Sequence, residues 1–313
     1  YLNVTTSATA VAPASAGNVA IGFDILGFAV DALGDKVSVT RTAARGVTIS
    51  GITGTSVDLP RDPLGNTAGR AVLAMQEALD LPFGFDMRIE KGIALGSGLG
   101  GSAASAVAAV VAANALLPKP CTKLELLKFA MHGEAVASGS MHVDNIAPSL
   151  FGGLVLTVGI DNPHVKQIPV PDAVRAVMVH PHLFLSTMDA RSILRTSVAM
   201  SDFVWQTAHL AGFISGCYTN DIELIRASLE AVVIQPQRQA LIPGFADVRR
   251  AAMACGALGC SISGAGPTVF AWALEHQAAE VLAAMRVEFG RHTVPIDDWI
   301  IEINSPGARV VGP

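Results

Sequence analysis

A glycine-rich stretch that runs straight into an alanine-rich segment constrains this chain more than any other feature of its sequence. The stretch reads IALGSGLGGSAAS and covers residues 93–105. Before it, FGFDMRIE alternates apolar and polar side chains from Phe83 to Glu90, which predicts a half-buried strand. The segment Ser102 to Leu117 is half alanine and predicts a buried helix. The order strand, glycine loop, helix places bare backbone at a helix start, where free amides can bind an anion.

Common nucleotide-binding loops match this stretch only in part. Gly96, Gly98 and Gly101 satisfy G-x-G-x-x-G, but a dinucleotide-binding unit also needs an acid about 20 residues on, at the end of a second strand. The first acid after the loop is Glu125, inside a helix-capping sequence. No Gly-Lys-Ser/Thr follows the glycines, which excludes a Walker A loop, and the protein-kinase sequences V-A-I-K, H-R-D and D-F-G are absent. Taken alone, the loop fits either a phosphate cradle or a plain tight turn.

Composition narrows the class of protein. The chain has 313 residues, 51% of them hydrophobic and 15% charged, with a net charge of −5, so we expect two domains or one large one. It has no long block of like charges, which argues against a nucleic-acid partner, and its longest apolar run is too short for a membrane span. Four cysteines without a C-x-x-C pair, and a beginning unlike a secretory signal, predict a reduced, cytoplasmic protein.

The pattern of the remaining segments predicts mixed α+β layers. Thr122 and Glu125 form a capping box that begins a helix ending near Ala137. Three prolines in residues 161–173 predict a domain boundary, with one domain at 1–165 and the other at 166–313. Further helices are predicted at 66–79, 186–199, 202–216, 220–233, 245–256 and 276–289. Strands are predicted at 174–181 and on either side of a glycine turn within 260–272. The last predicted element is a strand at 297–304.

Three motifs together resemble a known family. PASAGNVAIGFDILGFAV (13–30), GLGGSAAS (98–105) and GCSISGAGPTVFAW (259–272) are similar to the motifs of the GHMP kinases, named after galactokinase, homoserine kinase, mevalonate kinase and phosphomevalonate kinase. They occur in the family's order and spacing, so the resemblance spans the whole chain. It implies a two-domain α+β fold, with an N-terminal domain like domain 2 of ribosomal protein S5 and a ferredoxin-like C-terminal domain.

Other segments resemble one branch of this family. HVDNIAPSLFGG (142–153), STMDARSIL (186–194) and QPQRQALIPGF (235–245) are similar to the members that phosphorylate homoserine. The resemblance implies a homodimeric enzyme of threonine biosynthesis that uses ATP and Mg²⁺ to phosphorylate the side-chain hydroxyl of L-homoserine. A kinase for another small alcohol of the mevalonate type, and a nucleotide-binding regulatory protein without catalysis, are the alternatives.

The same resemblance assigns the nucleotide and metal residues. Ser102 and Glu134 are expected to bind Mg²⁺, a hard cation that prefers oxygen ligands. The family usually has G-L-G-S-S-A-A, and Gly101 replaces its first serine. Lys91 and Ser97 flank the loop and fit either a nucleotide contact or the protein surface. The expected nucleotide-binding set is Asn66, which could equally be a helix N-cap, with Gly96, Ser97, Gly98, Leu99, Gly100, Gly101, Ser102 and Ala103.

A zwitterionic acceptor needs groups of both charges. Its carboxylate calls for arginine and its ammonium group for a carboxylate. By resemblance, Arg191 and Arg238 bind the first, although Gln235 stands where the family commonly has Glu. Asp24 lies in the apolar sequence AIGFDILGF, where an unpaired carboxylate would be costly to bury, and is the expected ammonium partner. The expected substrate-binding set is Asn18, Asp24, Thr187, Arg191 and Arg238.

The sequence SMHVDNIAP supplies the catalytic candidates. By residue type, His142 or Asp144 could act as a general base. The resemblance instead implies that the aspartate base of mevalonate kinases is missing, with Asn145 near its place. We therefore expect direct transfer, driven by alignment and charge neutralisation. The third motif, Ser263 to Pro267, is expected either to pack beside the glycine loop from the other domain or to be a simple hairpin turn.

Overall fold

The computed structural model describes residues 6–139, 141–292 and 294–312. Within these residues the strands are β1 (Ser7–Gly17), β2 (Leu26–Thr42), β3 (Val47–Thr53), β4 (Gly84–Glu90), β5 (Leu154–Val158), β6 (His164–Ile168), β7 (Val174–Pro181), β8 (Gly259–Ile262), β9 (Val269–Leu274), β10 (Ile296–Glu302) and β11 (Arg309–Val311). The helices are α1 (Thr67–Ala78), α2 (Gly101–Asn114), α3 (Lys123–Ser138), α4 (Ile146–Phe151), α5 (Thr187–Ser192), α6 (Met200–Thr219), α7 (Ile222–Ser228), α8 (Gln235–Arg238), α9 (Phe245–Ala254) and α10 (Glu275–Arg291).

The first sheet is centred on the long strand β2. Its main order is β11-β1-β2-β4-β3. In addition, β5 pairs with the first residues of β2, and β6 pairs with β5. Only the β3–β4 pairing is parallel within the described chain. The β1–β2 register shifts between Pro13 and Ala14, where proline has no amide hydrogen to donate to the ladder. Strand β4 of this sheet ends directly before the glycine loop.

The alanine-rich helix α2 lies buried between the first sheet and helices α1 and α3. Most of its residues have no exposed surface, which confirms the predicted buried helix. Small side chains let its neighbours approach closely: a Cβ on Gly133 of α3 would lie 3.0 Å from the Cβ of Ala106. The position of α2 therefore follows from close packing on all sides rather than from an amphipathic face.

The second sheet has the order β10-β7-β9-β8, all antiparallel. Its strands and their principal helices follow one another as β-α-β-β-α-β, the arrangement of a ferredoxin-like domain. The expected α+β class is confirmed. Helices α9 and α10 cover one face, where Phe245, Val248, Met285 and Phe289 are buried.

Aromatic side chains join the two sheets in one core. The ring of Phe28 on β2 lies 5.5 Å from that of Phe270 and 5.9 Å from that of Trp272, both on β9. Phe213 of α6 packs on Trp272 at 5.1 Å. All four side chains are fully buried.

Strand β6 crosses the predicted domain division at 165/166, and β11 returns to the first sheet. The chain therefore contributes strands to the first sheet from both sides of the division.

Most predicted elements lie where the sequence places them, including α1, β4 and the Thr122–Glu125 capping box of α3. The helix predicted at 186–199 is wrong beyond Ser192: the Ser192 hydroxyl bonds to the Asp189 carbonyl, and the Arg195 amide donates to the Gln237 side chain. The helix predicted at 220–233 spans only Ile222–Ser228, because the backbone leaves the helical conformation at Leu229, where ψ is +55°. The strand at 297–304 is followed by β11 and so is not the last element.

Within the described ranges, none of the helices combines the length and the apolar character that crossing a membrane would require.

Candidate active site

The glycine loop adopts a backbone that only glycine accommodates without strain. Gly96, Gly98 and Gly100 have φ values of +61°, +77° and +66°. A Cβ on Gly98 would lie 2.6 Å from the Ser263 carbonyl oxygen, and one on Gly100 would collide with the Ser15 hydroxyl. Gly100 is the N-cap of α2 and no side chain caps this helix. The first amides of α2 therefore have no side-chain cap, and Gly101 and Ser102, the first two residues of the helix, line the cleft described next.

A cleft of about 350 Å³ opens beside this loop. Its lining comes from residues between 18 and 145 and from residues between 184 and 265, so residues far apart in sequence meet there. Among the predicted site residues, the cleft is lined by Asn18, Asp24, Gly96, Ser97, Gly98, Gly100, Gly101, Ser102, Glu134, His142, Asp144, Asn145, Thr187, Arg191 and Arg238.

Three predicted residues do not line the cleft. Leu99 and Ala103 point into the core, and only their backbone belongs to the loop and helix start. The side-chain oxygen Oδ1 of Asn66 accepts hydrogen bonds from the backbone amides of Ala68 and Gly69 at 3.0 and 3.3 Å, and its side-chain Nδ2 donates to the Pro60 carbonyl. These bonds make Asn66 the N-cap of α1, while its predicted contact with adenosine stays a prediction.

The turn between β8 and β9 holds the glycine loop from the second sheet. The Ser263 hydroxyl donates to the Gly98 carbonyl at 2.7 Å, and the Thr268 hydroxyl donates to the Ser97 carbonyl at 2.6 Å. The Gly264 amide donates to Gly17 at 3.1 Å, which ties the first motif to the third. The prediction that Ser263 to Pro267 pack beside the loop is confirmed.

Ser102 and Glu134 meet at the head of α2, as the sequence predicts. The Ser102 hydroxyl donates to a Glu134 carboxylate oxygen at 3.0 Å. Burial raises the pKa of Glu134 to about 7, and the nearby Asp144 carboxylate adds a smaller effect in the same direction. The hydrogen bond from Ser102 acts in the opposite direction. The half-buried Ser102 hydroxyl and the buried Glu134 carboxylate match the oxygen ligands that Mg²⁺ takes alongside water and phosphate. No group of three or more His, Cys, Asp or Glu side chains suited to a metal occurs in the described chain, and Mg²⁺ does not require one.

A second group of residues in the cleft lining carries charges of both signs. Asp24, held at φ +64°, binds Arg191 through two hydrogen bonds of 2.7 and 3.0 Å. Its amide donates to the Asn18 side chain at 3.0 Å. Arg238 is buried and donates to the Ala190 and Gly264 carbonyls, and both guanidinium groups face the ring of Phe23. Burial, then repulsion from Arg191, lowers the pKa of Arg238 to about 10.

Asp144, Asn145 and His142 also line the cleft: Asn145 lies close to Gly100, and His142 lies close to Asp24. Burial, then the Asp24 carboxylate, raises the pKa of Asp144 to about 7. Asn145 accepts a hydrogen bond from the Ser15 hydroxyl at 3.0 Å. Burial lowers the pKa of His142, whose ring lies 3.8 Å from Asp24. The segment is therefore positioned between loop and charged wall, but no catalytic role follows from its geometry alone.

Sequence reasoning missed part of the cleft and part of the loop's support. Phe184 covers Gly96, and the Leu185 amide donates to the Gly96 carbonyl at 3.1 Å. No local pattern in HPHLFLS indicates this contact. Lys91 and Ser97 are both buried, so the surface alternative for them is wrong. Lys91 pairs with Asp35, which the sequence analysis did not single out.

Comparison with known proteins adds independent information. The family model described as the GHMP kinases N terminal domain matches residues 66–153, and that described as GHMP kinases C terminal matches residues 213–292. A homoserine kinase from Xanthomonas campestris pv. campestris is 49% identical over 97% of this chain and 94% of its own length. A homoserine kinase from Chloroherpeton thalassium is 42% identical over 97% and 99%.

Comparison with solved structures also finds similarity to a homoserine kinase. The crystal structure of a homoserine kinase from Cytophaga hutchinsonii superposes with a TM-score of 0.94 at 42% identity, covering 99% of both chains. A mevalonate kinase from L. major, solved with R-mevalonate, has a TM-score of 0.68 at 14% identity over 94% of this chain and 96% of its own. The second likeness concerns the fold alone.

Proposed function

We propose that this chain, which belongs to the GHMP kinase family, transfers the γ-phosphate of ATP to the side-chain hydroxyl of L-homoserine. The products are O-phospho-L-homoserine and ADP, on the route to threonine. Support comes from the full-length similarity to homoserine kinases. A single structural observation carries the choice of acceptor: the Asp24–Arg191 pair and Arg238 present both charges in the same cleft that the glycine loop lines.

A small amino acid fits this arrangement better than a simple alcohol. Its carboxylate can approach the guanidinium groups of Arg191 and Arg238, and its ammonium group can approach Asp24. The two charges of the acceptor would thus meet two opposite charges that already lie side by side. Mevalonate has a carboxylate but no ammonium group, so Asp24 would have no partner on it.

The loop supplies what phosphoryl transfer requires of a protein. Amides at the start of α2 can bind the phosphates, and Ser102 with Glu134 would hold Mg²⁺. When bound, Mg²⁺ neutralises phosphate charge. We propose that Asn18, Thr187 and Asn145 help to orient the acceptor hydroxyl, whose oxygen bonds to the γ-phosphorus as the bond to the bridging oxygen breaks. The hydroxyl proton leaves with the transferred phosphoryl group, so alignment rather than a strong base provides the acceleration.

An ADP-release assay with a panel of acceptors tests this function. Homoserine should be the preferred substrate over serine, threonine, mevalonate and galactose. Turnover of mevalonate in preference to homoserine would establish the mevalonate-type alternative. Binding of ATP without turnover of any acceptor would establish a regulatory protein instead.

We also propose that the protein is a homodimer that pairs through α6. Met200, Phe203, Val204, Trp205 and Tyr218 on this helix are each at least half exposed. In a two-fold dimer, α6 would pack antiparallel against its copy. The large side chains near its N-terminus would then contact Tyr218 of the other copy, so the same surface of both copies would form the interface. Val204→Glu should convert the dimer to a monomer in sedimentation velocity, and a wild-type enzyme that sediments as a monomer would contradict the proposal.

The cytoplasm is the proposed compartment, because all four cysteines are free thiols. Burial raises the pKa of both Cys217 and Cys260 to about 12, which keeps these two thiols unreactive at neutral pH.

A further inference from the structure

A buried charged cluster lies beneath the glycine loop and outside the cleft. It consists of Asp35 on β2, Lys91 just after β4, and Ser105 on α2. Their relative exposures are 0%, 6% and 4%, and none of them lines the cleft. The proposed reaction therefore leaves the cluster without a role, although a buried ion pair is costly to desolvate.

Lys91 binds the exit of the loop. Its ammonium group donates to the Asp35 carboxylate, to the Gly101 carbonyl at 2.9 Å and to the Ser105 hydroxyl at 2.9 Å. These bonds use all three ammonium hydrogens. Gly101 is the first residue of α2, so the lysine holds the first turn of this helix in position.

Asp35 binds the entrance of the loop. One carboxylate oxygen accepts the amides of Gly92 and Ile93 at 2.9 and 3.2 Å. The other accepts the Ser105 hydroxyl at 2.6 Å and the Lys91 ammonium group. Asp35 is itself held in β2, which is paired with both β1 and β4.

Both ends of the loop are thus anchored to the same central strand by charge-assisted hydrogen bonds. The residues between the anchors supply the amides that face the cleft, and their glycines make that backbone intrinsically pliable. Anchoring the two ends limits the conformations that the intervening backbone can adopt. A preorganised amide cradle binds phosphate more tightly because less ordering is needed on binding.

We propose that Asp35, Lys91 and Ser105 are positioning residues that fix the ends of the glycine loop and thereby set its affinity for the triphosphate of ATP. The proposal rests on the proposed kinase function only in naming ATP as the ligand. It assigns these residues no contact with substrate.

The test is the double variant Asp35→Asn/Lys91→Met. It removes both charges together, so no unpaired charge is buried, and the asparagine oxygen can still accept the Gly92 and Ile93 amides. We expect a melting temperature close to that of the wild type but about tenfold weaker calorimetric affinity for a non-hydrolysable imido analogue of ATP with MgCl₂. Hydrogen exchange in the peptide spanning residues 92–104 should become faster, and the KM for homoserine should change by less than about twofold.

Lys36→Met is the matched control. Lys36 lies one position along the same ladder and pairs with Glu90 in solvent, so its removal should change neither affinity nor exchange. Affinity and exchange at wild-type values in the double variant would overturn the proposal. These two readouts need no acceptor, so they remain decisive even if homoserine is not the substrate.

Ser105→Ala is a second variant for the case in which the double variant does not fold. It keeps the ion pair and removes one hydrogen-bonding group from it. We expect a several-fold rise in the KM for ATP at an unchanged KM for homoserine. An equal rise in both constants, or none, would count against a role in loop positioning.

Discussion

At the scale of single residues, burial acts on the charges of the cleft in opposite directions. It raises the pKa of both Glu134 and Asp144 to about 7 and lowers that of Arg238 to about 10. In each case the charged form is disfavoured because water is excluded. Cations near the two carboxylates, and an anion near the arginine, would favour the charged forms again. The cleft therefore suits a complex of phosphates, Mg²⁺ and a zwitterion.

Asp144→Asn tests whether this residue binds or reacts. Asp144 lies within the electrostatic reach of Asp24, Arg191 and Arg238, so its charge should help to balance the acceptor site. We expect the KM for homoserine to rise by about tenfold and kcat to fall by less than that. Steady-state kinetics at pH 8 measures both. A collapse of kcat by several orders of magnitude with an unchanged KM would show that Asp144 is a general base.

His180 links the second sheet to the glycine loop through Thr268. Its Nδ1 lies 3.1 Å from the Thr268 hydroxyl, which donates to the Ser97 carbonyl, so the neutral ring with its proton on Nδ1 fits. Burial, then repulsion from His182, lowers the pKa of His180 below its ordinary value near 6.5. The folded state thus prefers the neutral ring, and the resulting stability is present above that ordinary value and lost as the pH falls through the lowered pKa.

We therefore expect His180→Gln to weaken the fall in melting temperature between pH 7 and pH 5. Thermal unfolding across this range measures the effect. The exposed His276 provides the control, and His276→Gln should leave the pH dependence at its wild-type slope. An unchanged slope in His180→Gln would mean that His180 does not contribute to it.

At the scale of elements, the glycine loop and α2 depend on left-handed backbone at Gly100. Gly100→Ala adds a Cβ that collides with the Ser15 hydroxyl and lies 3.0 Å from the Asn145 oxygen. Gly139, at φ +75°, has the same handedness but open space at its Cβ position. Both alanine variants should lose about 1–2 kcal/mol of stability from strain.

Affinity for the nucleotide should distinguish the two variants. Gly100→Ala moves the amides of the loop, so we expect more than about tenfold weaker calorimetric binding of the imido analogue of ATP. Gly139→Ala should bind it as the wild type does. Equal losses of affinity in both variants would mean that strain anywhere in the domain, rather than loop geometry, controls binding.

Elements with local signals could be predicted from the sequence. The capping box of α3, the alternation of β4 and the alanine run of α2 each depend on residues a few positions apart. Strands β1, β2 and β3 were not predicted: β1 has alanine at every second position, a residue depleted in strands, and the partner of β3 lies beyond helix α1 in the chain. The predicted extension of α5 failed because a tertiary contact, Gln237 to Arg195, competes with the helix.

At the scale of the whole molecule, the aromatic junction of Phe28, Phe213, Phe270 and Trp272 couples the two sheets. Phe28→Ala should cost about 3–5 kcal/mol and lower the temperature of one cooperative transition in calorimetry. Val287→Ala, at an exposed position, should change stability by less than about 0.5 kcal/mol. Two separate transitions, of which only one shifts, would show that the sheets unfold independently.

The local sequence was enough to predict the glycine loop and the helix that follows it, because glycine spacing and helix composition act over a few residues, and the three motifs indicated the family. Which side chains meet depends on the tertiary fold. Asp24 and Arg191 are 167 residues apart, and Thr268 lies 171 residues from the loop carbonyl that it binds. Asp35 and Lys91 face each other because antiparallel pairing of β2 with β4 brings their positions together. Such contacts depend on the register and packing of whole sheets, which no local pattern encodes.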